Sequence, residues 1–245
     1  MIKKKILLFA VMGLISICSL GAYQLSPLNV TYDSRGADSA KVYTIVNDSD
    51  PPIAIEIVSQ KRNVDLDGNE YTEEAPEYFS IQPAKMIIKP DSTQLVRVQY
   101  RGPAALPKEL AFRIVSEQIP YSRGAQSQET GQMISFLFVY STSAYVRPER
   151  VIESVEATAA LNEEGRIEIR ITNTGTVHQM LTDLSVTLRG DNGGVYELSD
   201  DDMGVIKGQN LLTDSTLRIV LDVPPELAGS TEFTPEISYN YSYSS

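Results

Sequence analysis

His178 is the only histidine in this 245-residue chain and Cys18 the only cysteine, so the side chains that most often serve as nucleophiles, proton relays and metal ligands are nearly absent. They cannot be combined into a Cys/His pair or a zinc ligand set. His178 lies in TGTVHQM, where a turn or surface position accounts for it. Carboxylates are plentiful, 32 against 21 Lys and Arg, but an acidic composition alone assigns no acid/base pair. One stretch has ion-binding spacing: NVDLDGNEYTEE, residues 63–74, sets Asp65, Asp67, Gly68 and Glu74 at calcium-loop offsets. Against that reading, Asn63 stands first where such a loop wants Asp, and Glu70 stands where it wants an apolar residue. No helix is predicted on either side. Asp67-Gly68 between β-type runs predicts a hairpin, with calcium binding as the alternative. No catalytic residue, cofactor or metal is assigned, and no glycine-rich phosphate loop is present.

What remains is the chemistry of surfaces, and it centres on ISFLFVYSTSAYVRP, residues 134–148. Ile134, Phe136, Phe138 and Tyr140 alternate with Ser135, Leu137, Val139 and Ser141, so a strand here is apolar on both faces. Burial on both faces would explain it. The alternative is an edge strand offered to a partner that lacks one, in which main-chain bonds supply affinity and alternate side chains fill pockets.

The elements that must position this run are β-type throughout. Residues 28–32, 40–47, 53–62, 85–89, 94–100, 110–119 and 133–146 are rich in Val, Ile, Tyr and Thr, separated by turn compositions such as NDSDPP and KPDS. After RPERV a second set begins, at 152–158, 165–173, 179–190, 194–199, 203–207, 216–223 and 233–241. The expected fold class is all-β, two immunoglobulin-like sandwiches covering 23–147 and 148–245 and joined by a short hinge.

MIKKKILLFAVMGLISICSLGA, residues 1–22, reads as a secretory signal peptide cleaved near Ala22, with an uncleaved anchor as the alternative. Ile17 before Cys18 is too large for lipoprotein processing. Export removes Lys3, Lys4 and Lys5, leaving 18 basic residues against 32 acidic and a net charge of −14. Such a field disfavours nucleic acid and anionic membrane surfaces. Loss of Cys18 leaves no cysteine, so the chain is stabilised by burial and not by disulfides.

The residues VNDSDPPIAIEI, QPAKMIIKPDSTQLVRVQYRGP, EQIP and AYVRP together resemble the PapD-like periplasmic pilus chaperones of the chaperone–usher pathway. The wording VRVQYRGP followed by LAFRIVSEQIP is most similar to the archaic or alternative branch; the second half matches by length and pattern. The resemblance implies two domains in an L or boomerang shape, and a seventh strand that completes the unfinished fold of a pilin before transfer to an outer-membrane usher. Counting back from Arg147-Pro148, it implies donor residues Ile134, Phe136 and Phe138, with Tyr140 next in the row. The basic pair that holds the pilin's terminal carboxylate is replaced by Asn29 and Ser143, and Arg113 is the candidate substitute, with a plain surface arginine as its alternative. Arg147 and Glu109 fall where the family places an interdomain salt bridge, with Glu236 a further possible member, and Pro52 where it places an usher contact. Self-association through the donor strand is a further expected partner mode. The rival readings are a pilus subunit or two-domain adhesin, and a carbohydrate- or calcium-binding sandwich.

Overall fold

The structure, a computed structural model, describes residues 23–121 and 136–241. The expected signal peptide and Ile134 lie outside the described residues. Ten strands build the first half: β1 (Gln24–Ser26), β2 (Asn29–Asp33), β3 (Ala40–Asn47), β4 (Ile53–Val64), β5 (Glu70–Glu74), β6 (Phe79–Gln82), β7 (Lys85–Ile88), β8 (Ser92–Tyr100), β9 (Leu110–Ile119) and β10 (Val139–Arg147). They form two facing sheets, ordered β1-β3-β8-β6 and β2-β10-β9-β4-β5, with β7 also on β4. Period-two alternation sends Tyr43, Ile45, Val96 and Val98 of one sheet against Ile55, Ile57, Phe112, Ile114, Ala144 and Val146 of the other, all buried. Phe79 meets Tyr32, Phe112 and Tyr100 edge-on, with ring centroids 5.3, 5.1 and 5.6 Å away. Gly102 is required beside this cluster, because a Cβ there would fall 2.6 Å from Tyr100 Cζ and 2.7 Å from Tyr78 Cδ1.

The second half contains β11 (Val155–Leu161), β12 (Ile167–Asn173), β13 (Gln179–Gly190), β14 (Val195–Glu197), β15 (Asn210–Leu211), β16 (Thr216–Leu221) and β17 (Phe233–Tyr241). One curled sheet, ordered β14-β13-β17-β11-β12-β16, encloses its own core. Ile167, Ile169 and Ile171 point in while Glu168, Arg170 and Thr172 point out. A bulge at residues 182–185, with Asp183 at φ 50°, resets the parity of β13, so that Leu181 before it and Leu184, Val186 and Leu188 after it all reach the core. The architecture is two immunoglobulin-like β-sandwiches.

The strand expected at 203–207 is instead a short helix, α1 (Asp200–Met203), continued by a 3₁₀ turn over Gly204–Ile206. Ser199 and Asp202 cap it reciprocally: Asp202 N–H donates to Ser199 Oγ at 3.2 Å, and Ser199 N–H to Asp202 Oδ2 at 2.8 Å. Met203 and Ile206, three residues apart, are buried on one side of the turn. Strands β1, β5, β6 and β15 had no counterpart in the sequence reading, being short or, for β5, wholly exposed.

A buried asparagine terminates an equivalent strand in each sandwich. Asn47 Nδ2 donates to the carbonyls of Pro51, Ile88 and Lys89, while its Oδ1 accepts from Ser49. Asn173 Nδ2 donates to Val177 O and Leu211 O, and its Oδ1 accepts from Gly175 N–H. In both places one amide pairs loop carbonyls that burial would otherwise leave without water.

The two halves meet at Glu109, whose side chain is 1% exposed. Its Oε1 accepts the His178 backbone N–H at 3.0 Å and lies 2.6 Å from His178 Nδ1, and its Oε2 is 3.8 Å from Arg147 Nε. Backbone bonds flank it: Glu109 N–H to Thr176 O at 2.9 Å, and Thr213 Oγ1 to Glu109 O at 3.0 Å. Tyr145 stacks on the His178 ring at 4.0 Å, and Lys108 pairs with Asp214. The tip of the β4–β5 hairpin also reaches the second half. Arg218 N–H donates to Leu66 O at 2.8 Å, and the Arg218 guanidinium grips Asp67 with Nε at 3.1 Å and NH2 at 2.6 Å. The Asp-Gly pair therefore forms a hairpin turn, in which Asp65 accepts from Asp67 and Asn69.

Two stability outcomes follow. Asn47→Ala, and separately Asn173→Ala, should each lower the unfolding free energy by about 2–3 kcal/mol in urea titration, because buried carbonyls lose their donor. Glu109→Ala should cost about 3 kcal/mol by removing the acceptor of the His178 N–H and a buried charge facing Arg147, and Glu109→Gln, which keeps an oxygen for the His178 N–H, should cost less in the same titration.

Candidate functional site

Strand β10 has β9 along one edge throughout, but β2 along the other only from Ser143 to Arg147. Ser143 N–H donates to Leu28 O at 2.9 Å, whereas Phe138 O turns the other way to accept Gln118 N–H. With a period of two, the N–H and C=O of Val139 and Ser141 point to the side that Ser143 faces. Among the described residues nothing pairs with them there, so the first half of β10 is an open edge.

The same parity fixes the side chains. Thr142, Ala144 and Val146 are buried, and Phe138 and Tyr140 pack partly against the first core. Tyr140 meets Tyr23 edge-on at 4.7 Å, and its hydroxyl donates to Tyr23 O at 2.5 Å. The outward row is Leu137, Val139, Ser141 and Ser143, of which Leu137 and Val139 are 45% and 58% exposed. Phe136, ahead of the strand, is 60% exposed. Of the donor residues implied by the resemblance, then, Phe136 is open to solvent, Phe138 turns toward the core, as does Tyr140 next in the row, and Ile134 lies outside the described residues.

Register extends the outward row into a surface. Ser141 is level with Val115 and Val58 on β9 and β4, and Ser143 is level with Arg113 and Gln60 on those strands and with Asn29 on β2. Arg113 therefore sits in one cross-strand row with Asn29 and Ser143, the two positions that the resemblance matches to a basic pair. Its NH1 donates to Ser143 Oγ at 2.6 Å, while Nε and NH2 donate to the two oxygens of Glu70 at 2.7 and 2.5 Å. Arg62, on β4, donates from Nε to Glu70 Oε2 at 2.7 Å and from NH1 to the Tyr145 hydroxyl at 2.8 Å. Tyr145 also accepts from Asn210 Nδ2 at 2.6 Å, which ties this cluster to the second half.

Burial alone would raise the Glu70 carboxyl, but the hydrogen bond from Arg113 and the charges of Arg62 and Arg113 outweigh it and hold the group below the usual carboxylate range. The Arg113 guanidinium is pushed up, chiefly by its hydrogen bond to Glu70. Chemically this is a guanidinium pair that binds carboxylate beside an open strand edge. The sequence reading missed Arg62, Glu70 and Tyr145. The available signal was the Asp67-Gly68 turn, because the hairpin register it sets, with Val64 opposite Glu70, puts Glu70 beside Arg62.

Arg147 and Glu109 meet at the junction described above. Pro52 is half-buried in the loop held by Asn47, just ahead of β4. Glu236 pairs with Arg189 on the second sheet, with Oε1 2.8 Å from Arg189 Nε. Among the described residues no group of three His, Cys, Asp or Glu side chains is placed to hold a metal, and no helix is long and apolar enough to cross a membrane.

A search of curated proteins gave no match. Among solved structures, the class 5 fimbriae chaperone CfaA is similar over 89% of this chain and 100% of its own, with 13% identity and a TM-score of 0.57. The CsuC–CsuE chaperone–tip adhesion subunit pre-assembly complex, from archaic chaperone–usher Csu pili of Acinetobacter baumannii, matches over 88% of this chain and 98% of the other, with 15% identity and a TM-score of 0.56. The E. coli chaperone DraB matches over 88% and 98%, with 16% identity and a TM-score of 0.53. The family model described as pili and flagellar-assembly chaperone, PapD N-terminal domain, matches residues 22–151, a span that includes β10, Arg62, Glu70, Arg113, Glu109 and Arg147, and the chain belongs to that family.

Proposed function

We propose that this protein is a periplasmic chaperone that binds an exported fimbrial subunit by lending it the open half of β10, holds the subunit's terminal carboxylate at Arg113, and delivers it to an outer-membrane usher. The observation that carries this reading is the edge of β10 that has no partner among the described residues, with solvent-exposed Phe136, Leu137 and Val139 along it, ending at a guanidinium. Main-chain groups of Val139 and Ser141 offer the partner a ladder, and the apolar side chains offer it the core it lacks. The first sandwich, 23–147, carries the binding surface; the second, from Pro148 on, is held to it through Glu109 and Arg147, with Pro52 on the surface proposed to meet the usher. Release needs no nucleotide, since a subunit strand that fits better displaces this one.

Two neighbouring rows could enter the subunit: Ile134, Phe136 and Phe138, implied by the family resemblance, with Tyr140 next in line, or Leu137 and Val139, which face outward here. A pull-down of tagged protein from periplasm expressing the fimbrial subunits separates them. Phe136→Ser/Phe138→Ser should abolish capture if the first row inserts, and Leu137→Ser/Val139→Ser if the second does. Near-UV circular dichroism should confirm that each variant keeps its packing, because Phe138 touches the core. Full capture by both double variants would sink the proposal. Arg113→Ala should weaken capture by roughly tenfold or more, the value of losing a charge-assisted bond to a carboxylate.

A further inference from the structure

In this chain the proposed carboxylate anchor is already occupied by a carboxylate. Glu70 accepts from Nε and NH2 of Arg113, the bidentate arrangement that an external carboxylate would seek, and a third donor, Arg62 Nε, holds the same group. Neither arginine is fully sealed: the Arg113 side chain is 18% exposed, Arg62 9% and Glu70 30%. Arg113 NH1 already points along the row toward Ser143 on the strand proposed to meet the subunit.

We infer that Glu70 is an internal stand-in for the partner's terminal carboxylate, occupying Arg113 in the free protein and handed over to Arg62 when a chain terminus arrives. This deepens the proposed function and rests on Arg113 being the anchor. Two guanidinium groups and one internal carboxylate leave a single positive charge in the cluster, enough for one incoming carboxylate. Arg62 is what makes the exchange possible. It contacts Glu70 independently of Arg113 and is itself held by the Tyr145 hydroxyl, so Glu70 keeps a partner after Arg113 turns away and no buried charge is stranded. The stand-in also keeps Arg113 extended along the row before a partner binds, which lowers the ordering cost of binding while competing with it.

The position of Glu70 on the hairpin adds a consequence. Three residues before it, Asp67 is gripped by Arg218 of the second sandwich, and Tyr145 is bonded to Asn210 there. Glu70 and Arg62 are thus fixed from both sandwiches, and displacement of Glu70 is resisted by the whole junction.

The test compares peptides of the captured subunit's C-terminal strand, synthesised with a free carboxylate and as the amide, by titration calorimetry against the exported protein. Glu70→Gln and Glu70→Ala should each bind the acid peptide roughly tenfold more tightly than wild type and leave amide binding unchanged. Glu74→Gln, on the same strand and directly opposite Gln60, controls for the general loss of a negative charge and should leave both affinities unchanged. The inference is overturned if both Glu70 variants bind the acid peptide no better than wild type, or if Glu74→Gln tightens it equally. Arg113→Ala tests the underlying anchor separately: it should erase the preference for acid over amide, and a preserved preference would remove Arg113 as the anchor and the stand-in role with it.

Discussion

A strand has two faces and two edges, and each polar group along an edge must find a donor or acceptor, from protein or from water. Strand β10 uses three of these four surfaces to hold the first sandwich together. One face closes the core through Thr142, Ala144 and Val146; one edge is fully paired with β9; and the hinge-side half of the second edge is covered by β2. What is left open among the described residues is set by where β2 begins. Had β2 paired with β10 over four more residues, the sandwich would have been complete and no edge would remain for a partner.

The polar interior is organised to hold that arrangement in place. Asn47 fixes the loop ahead of β4, and β4 pairs with β9, which in turn pairs with β10. At the far end of β10, Tyr145 belongs to two networks at once, stacking on His178 at the junction and accepting from Arg62 in the arginine cluster. Buried ion pairs of this kind add little net stability, because desolvation offsets much of their attraction. Their value lies in the single geometry that brings Glu109, His178, Arg147 and Tyr145 together, which orients the second sandwich relative to the open edge.

Much of this was legible in the chain. The strands from Ala40 to Asn47 and from Leu110 to Ile119 fall where the alternation of Val, Ile, Tyr and Phe put them, because side-chain direction repeats every two residues whatever the surroundings. The hairpin at Asp67-Gly68 was legible because that pair favours a tight turn on its own. The segment at 203–207 misled because two apolar residues three apart fit either a strand end or a helical turn, and the capping pair Ser199 and Asp202 decided it. Short strands such as β6 left no periodic trace. Their positions depend on what Phe79 packs against, and those rings come from residues far away in sequence.

By itself the sequence determined the all-β class, the two successive strand sets and the apolar run ending at Arg147-Pro148. These depend on residue type and local period, which a linear chain displays. Only the tertiary structure decided which face of that run turns inward, which stretch of its edge β2 covers, and that Glu70 occupies Arg113. Phe138 and Leu137 are equally apolar, so nothing local says which one meets the core; that follows from the register with β9. Glu70 and Arg113 are 43 residues apart, and their pairing exists only because β5 and β9 both lie alongside β4 in the folded sheet.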